Sequence, residues 1–228
     1  MIADEIRAIT SELPQGTQLV AVSKFHPAEA IQEAYDAGQR IFGESHVQEL
    51  AAKCSVLPQD IEWHFIGHLQ TNKVRQLVPH VALIHAIDSE HLLQEVDKQA
   101  QRIGRRIDCL LQLHVAQEET KYGFRPEEAV AFVAGGTWRT MPGIRLAGVM
   151  CMASNVDDEE QIRREFHTAA QTFRRLRDEF FQPSPTLSEN DAAAFRHLSM
   201  GMSDDWPIAV SEGATLVRIG TRIFGQRR

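Results

Sequence analysis

The chain predicts an α/β fold, a single (β/α)8 TIM barrel, on three observations. Short apolar or β-branched runs alternate with longer amphipathic stretches from one end to the other, as in βα units around a parallel sheet. Eight such runs can be counted, the number that closes a barrel. An open dinucleotide-binding sheet would carry GxGxxG after its first strand, where this chain has Val22-Ser23-Lys24-Phe25-His26-Pro27, and no GxxxxGK[ST] occurs. At 228 residues one barrel domain over 1–228 is expected.

The strand candidates are Gln18 to Ser23, Arg40 to Phe42, Trp63 to Ile66, Ala82 to His85, Asp108 to His114, Arg145 to Met150, His197 to Met200 and Thr215 to Ile219. After the first, Pro27 suits an opening helical position, Ile31, Ala34 and Tyr35 share one face, and Gly38 supplies a left-handed stop. Ser89 can cap a helix that buries Leu92, Leu93, Val96 and Ala100 and ends at Gly104. The longest helix should begin near Asp157, with acids in its first turn, Ile162, Phe166, Phe173 and Leu176 buried, and Arg174, Arg175 and Arg177 near its end. Residues 182–194, with Pro, Ser and Asn and little apolar content, read as a long surface loop leading into strand seven.

A net charge of −7 argues against nucleic acid as a partner, because phosphate backbones need a basic face. Cys54, Cys109 and Cys151 are odd in number and widely spaced, without CxxC, so neither a disulfide framework nor a structural zinc is indicated. The opening MIADEIRAITSELP is acidic where a signal peptide is basic, and no apolar run has membrane-spanning length. A cytoplasmic protein with no membrane partner is expected.

Ligands of such barrels sit at the C-terminal ends of the strands. There the sequence places Lys24, Glu44 with Ser45, Gly67 with His68, His85 with Asp88, His114, Met150, Ser199 and Gly220. A lysine just past Leu19-Val20-Ala21-Val22 and Ser23 points either to solvent or into the mouth, where desolvation makes its neutral amine nucleophilic toward an aldehyde. Phosphate commonly binds the loops after strands seven and eight. Here those loops are Ser199-Met200-Gly201-Met202-Ser203, with a helix starting near Asp204, and Gly220-Thr221, so each offers glycine, hydroxyl and backbone N–H groups. Asp204 and Asp205 would compete with an anion unless they face away. Arg218 either donates to a ring nitrogen or pairs with an acid such as Glu44. His64 and His68 are four residues apart, but Gly67 breaks any helix between them and weakens a metal reading.

The segments Ala21-Val22-Ser23-Lys24, Phe42-Gly43-Glu44, His64-Phe65-Ile66-Gly67-His68-Leu69-Gln70-Thr71-Asn72-Lys73, Lys121-Tyr122-Gly123-Phe124, Leu198 to Asp205 and Val217-Arg218-Ile219-Gly220-Thr221 together resemble the pyridoxal 5′-phosphate (PLP) homeostasis proteins. That family shares the fold type III barrel of the alanine racemase N-terminal domain. The resemblance spans nearly the whole chain in order. It implies that Lys24 holds PLP as a Schiff base, that Arg218 faces the pyridine nitrogen, and that Ser199, Ser203, Gly220 and Thr221 surround the phosphate. Ser45 and His68 are further cofactor candidates. The family usually has Asn after Gly-Glu, whereas here Ser45 and His46 follow, which puts that ring contact in doubt.

Racemases with this barrel complete their site with a β-rich second domain and a tyrosine base. Here the chain ends at Arg228, just past strand eight, and Tyr35 and Tyr122 are its two tyrosines. A non-catalytic carrier and regulator of PLP supply is therefore expected, monomeric, with PLP-dependent apoenzymes as protein partners. The alternatives are a PLP-dependent racemase using Lys24 with His68 or His85, a metal-dependent hydrolase using His85, Asp88 and His114, and a Schiff-base aldolase.

Overall fold

The computed structural model describes residues 1–116 and 122–225, in which eight parallel strands close into one barrel. They are β1 (Gln18–Val22), β2 (Ile41–Glu44), β3 (Glu62–Phe65), β4 (Leu83–Ile87), β5 (Ile107–Leu113), β6 (Ile144–Cys151), β7 (His197–Ser199) and β8 (Leu216–Ile219). Each pairs with its successor, and β8 returns to β1 from Gln18↔Leu216 to Ala21↔Ile219, so closure removes the sheet edges. The helices are α1 (Ile2–Glu12), α2 (Ala28–Asp36), α3 (Val47–Cys54), α4 (Val74–Leu77), α5 (Glu90–Arg102), α6 (Pro126–Gly135), α7 (Glu159–Phe180), α8 (Glu189–Ala194), α9 (Trp206–Ser211) and α10 (Thr221–Phe224). Among the described residues no helix is long and apolar enough to cross a membrane.

Strand residues alternate between two cores. Phe42, Trp63, Ile84, Leu198 and Val217 pack outward in the layer that holds Ile31, Leu50, Leu93 and Phe166 of the helices. Val20, Leu83, Leu110, Ala147 and Leu216 form a smaller cluster inside the barrel. His64, His85, Ser199 and Arg218 are buried too and share the interior phase of their strands.

The caps follow the sequence with small shifts. Ser89 accepts the Leu92 N–H at 3.3 Å, and Gly104 takes φ +65° just beyond α5. Asp158 accepts from Gln161 at 3.1 Å, so the longest helix starts at Glu159. Pro27 is the cap of α2, one position before its first turn.

Three expectations are corrected. Residues 182–194 contain α8, capped by Ser188 through Asp191 N–H at 3.1 Å and anchored by Arg106–Asp191 at 2.7 Å. Its buried face is Ala192 and Ala194, too small to give an apolar period. Strand β4 continues to Ile87, so His85 lies within the strand and not at its end. Helix α1 was not anticipated; Ile6 and Ile9 bury one face, and Arg222 of α10 binds Glu5 and Glu12 on it.

Candidate functional site

Lys24 follows β1 by two residues, at the C-terminal mouth of the barrel. The ladders Val22↔Gly43 and Ala21↔Ile219 set it between the ends of β2 and β8, and strand alternation puts it in phase with interior Val20. Gly220 is required there, because a Cβ would come 2.9 Å from the Val22 carbonyl oxygen. The last strand thus closes against the segment that carries the amine.

The backbone around Lys24 is clamped from the helix side. Lys53 Nζ of α3 donates to Ser23 O at 2.8 Å, to Glu44 Oε1 at 2.7 Å and to Glu49 Oε1 at 2.7 Å. Ser23 Oγ donates to Glu44 Oε1 at 2.6 Å, and Phe25 N–H donates to Glu49 Oε1 at 2.6 Å. Phe25 is held at φ +66°, the one left-handed non-glycine among the described residues, at a cost of roughly 1–2 kcal/mol. Glu44 is fully buried and its Oε2 has no partner. Burial pushes its carboxyl above the ordinary value, against the pull of the Lys53 ammonium. Glu44 is therefore the partner of Lys53, and the Arg218–Glu44 pair entertained from sequence does not form.

Arg218 lies inside the barrel instead, 4 % exposed, donating from Nη1 to Ser199 Oγ at 2.6 Å and from Nη2 to the Cys151 carbonyl at 2.9 Å. Burial lowers its pKa, yet guanidinium remains a cation and a pure donor. Of its five N–H donors these bonds commit two, which leaves donors for an acceptor above it. The Ser199 hydroxyl, expected at a phosphate, points into the barrel and lies 2.9 Å from His85 Nδ1. Ser203 is half-buried in the turn before α9.

The loops after β7 and β8 are both shaped by glycine. Gly201 sits at φ +91° where a Cβ would come 2.6 Å from Ala209 Cβ, and its carbonyl accepts Arg218 N–H at 2.9 Å. Only glycine lets the β7 loop lie this close to α9 while bonded to β8. Thr221 opens α10 with an exposed side chain directly after Gly220. Asp205 accepts Met202 N–H at 2.5 Å within its own turn, so its carboxylate is occupied there. An amine, a buried guanidinium and two glycine-dependent loops carrying hydroxyls are the donor set that an aldehyde bearing a ring nitrogen and a phosphate requires.

His68 is exposed on the rim, 3.3 Å from Asp88 through Nδ1 and stacked on Tyr122 at 4.0 Å. Ser45 Oγ lies 3.2 Å from His46 Nδ1, and a Cβ on Gly67 would come 2.4 Å from Ser45 O, so the loops after β2 and β3 pack backbone to backbone. The trio His85, Asp88 and His114 is dispersed: His85 is inside the barrel, Asp88 is on His68, and His114 N–H bonds Phe124 O at 2.8 Å. Among the described residues no group of three or more His, Cys, Asp or Glu is arranged to hold a metal. Lys121 lies outside the described residues. Sequence reasoning missed Lys53 and gave Ser23 and Glu49 no role; the signal for the pair was the i, i+4 spacing of Glu49 and Lys53, which reads as an ordinary surface pair.

Fold and site define a barrel of the alanine racemase N-terminal-domain type, and the family model of that description matches residues 1–228. Among relatives, the pyridoxal phosphate homeostasis protein of Aquifex aeolicus is 39% identical over 212 residues, covering 92% of this chain and 87% of its own. The human protein of that name is 39% identical over 220 residues, covering 92% and 76%. The solved structure of PipY from Synechococcus elongatus with PLP bound is 38% identical, with a TM-score of 0.85, over 99% of this chain and all of that one. The alanine racemase of E. faecalis, 17% identical with a TM-score of 0.71, shares the fold over 57% of its length. The chain belongs to the pyridoxal phosphate homeostasis protein family.

Proposed function

We propose that the chain is a PLP-binding protein of intracellular PLP homeostasis, a carrier and regulator of PLP supply built on one barrel domain over 1–228. Lys24 would hold the cofactor as a Schiff base, Arg218 would face the pyridine nitrogen, and Ser203, Gly220, Thr221 and the backbone after Ser199 would hold the phosphate. When bound, PLP supplies an aldehyde for the lysine and a ring that withdraws electrons. A guanidinium beside the ring nitrogen donates a hydrogen bond without giving up its proton, which favours an unprotonated ring and weakens that withdrawal.

The observation that carries the reading is the convergence of Lys24, Arg218 and the Gly201 and Gly220 loops on one mouth. A non-catalytic role is supported by Tyr35, whose OH donates to Asp60 at 2.6 Å outside the barrel. Ser45 and His68 flank the mouth as secondary contacts. The chain would act in the cytoplasm as a monomer, with PLP-dependent apoenzymes as recipients. Visible absorption of the purified protein after mixing with PLP tests this. A saturable Schiff-base band in wild type and none in Lys24→Ala supports it; identical spectra would reject it. Racemisation of alanine by the loaded wild type would reject the non-catalytic part.

A further inference from the structure

Arg218 stands at the head of a line of side chains that runs down the inside of the barrel to its opposite face. Ser199 Oγ is 2.6 Å from Arg218 Nη1 and 2.9 Å from His85 Nδ1. His85 Nε2 is 3.0 Å from His64 Nδ1, and His64 Nε2 is 3.3 Å from Glu62 Oε1. Ser199 and His85 are 0 % exposed and His64 1 %, while the Glu62 side chain at the start of β3 is 53 % exposed. Barrel interiors are ordinarily packed with branched apolar side chains, as Val20, Leu83, Leu110 and Leu216 are here. A continuous polar line through that layer is costly to bury unless every member is satisfied.

The two ends fix the direction of the whole line. Guanidinium only donates and carboxylate only accepts. Arg218 gives a hydrogen to Ser199 Oγ, and the Ser199 hydroxyl then gives its own to His85 Nδ1. His85 Nε2–H donates to His64 Nδ1, and His64 Nε2–H donates to Glu62. The reverse order would set an unprotonated His64 Nε2 against the Glu62 carboxylate and leave the Ser199 hydrogen without an acceptor. One arrangement of uncharged imidazoles therefore meets every contact. Two further observations agree. Burial above all, with the Arg218 cation adding to it, holds His85 well below the usual imidazole range, and the His64 hydrogen bond keeps Glu62 a carboxylate. His197 of β7 is a further neighbour of His85 and is itself lowered to about 4 by burial, so it is uncharged at neutral pH; with Arg196 it also faces Glu62 at the far end of the line.

We propose that Ser199, His85, His64 and Glu62 are positioning residues for Arg218: the line fixes the tautomers of both imidazoles as Nε2–H and aims the remaining guanidinium donors at the pyridine nitrogen of PLP. The inference rests on the PLP reading above and adds the residues that orient its arginine. Lacking this line, Arg218 would keep one side-chain hydrogen bond, to the Cys151 carbonyl, with the Asp205 charge farther off.

Two measurements test it. Nitrogen-15 NMR of the PLP-free chain should find the proton on Nε2 of both His85 and His64. A proton on His85 Nδ1 would overturn the inference. PLP titrations of His85→Leu and His85→Gln form the second test, since glutamine can accept from Ser199 and donate to His64 whereas leucine can do neither. Loss of one aiming hydrogen bond should weaken PLP about tenfold in His85→Leu and move the pH profile of the visible band, with His85→Gln recovering most of both. If His85→Leu does not fold, Ser199→Ala cuts the line beside the arginine. Wild-type affinity and pH profile in the cut variants would overturn the proposal. A wild type that binds no PLP would fail the functional reading instead, and NMR of the PLP-free chain would still judge the line.

Discussion

Lys53→Met should be among the most damaging single changes outside the mouth. The substitution keeps the length of the side chain but removes the ammonium that serves Glu44, Glu49 and the Ser23 carbonyl. Glu44 is then a fully buried carboxylate with Ser23 as its remaining hydrogen-bond donor and an oxygen already lacking one. Breaking a buried ion pair from one side typically costs about 3–5 kcal/mol, a melting-temperature drop of roughly 6–20 °C in a chain of this size. The pH dependence follows from the direction of the Glu44 shift. Burial raises its pKa in the folded state above the ordinary 4.5, and losing Lys53 removes the main opposing influence. Between the unfolded and folded values the folded state binds more protons, so stability is highest below 4.5 and is lost as pH rises through the folded value. The penalty of Lys53→Met relative to wild type, read by urea denaturation, should therefore shrink as the buffer is taken from neutral to about pH 4, where the carboxyl protonates. The double variant Glu44→Gln/Lys53→Met should recover much of the loss. A penalty under about 1 kcal/mol at neutral pH, the size of a surface pair, or one that does not change with acidification, would refute this reasoning.

Other changes follow from single observations. Burial, then Arg196, lowers His197 from 6.5 to about 4. The unfolded chain binds the proton first, so this group's stabilisation is present above 6.5 and is lost as pH falls through 4. Between those values His197→Gln should flatten the stability profile by about 3 kcal/mol in urea titrations, and an unchanged slope would count against the burial of this ring. Gly148→Ala should lose more than about 4 kcal/mol or fail to fold, because φ is +146° and the Cβ would lie 1.8 Å from His197 O where the β5–β6 register shifts; thermal melting reads it. Ser45→Asn, which restores the residue usual after Gly-Glu in the family, should tighten PLP binding in a spectroscopic titration if the longer amide reaches the ring.

The barrel was legible because eight apolar runs in order leave little choice of topology. Lys24 and the Gly201 and Gly220 loops were legible because each directly follows such a run, and the ends of strands are where ligands bind. The interior was much less so. Strands buried on both faces show no apolar alternation, so a two-residue change in where β4 ends decides whether His85 lies at the mouth or within the strand beside Ser199. The same ambiguity hid the outward phase of Ser23 and Glu44, which meet Lys53 only because α3 folds back over β2. Helix α8 escaped notice because alanine carries its buried face, and α1 because its acids were read for targeting and not for the Ile6–Ile9 stripe between them.

The central claim is that Lys24 anchors PLP, and borohydride reduction of the PLP-loaded protein followed by peptide mass mapping tests it most directly. A phosphopyridoxyl mass on the peptide containing Lys24, and on no other lysine peptide at stoichiometric PLP, is the predicted result. Label on a different lysine with the Lys24 peptide unmodified would contradict the account.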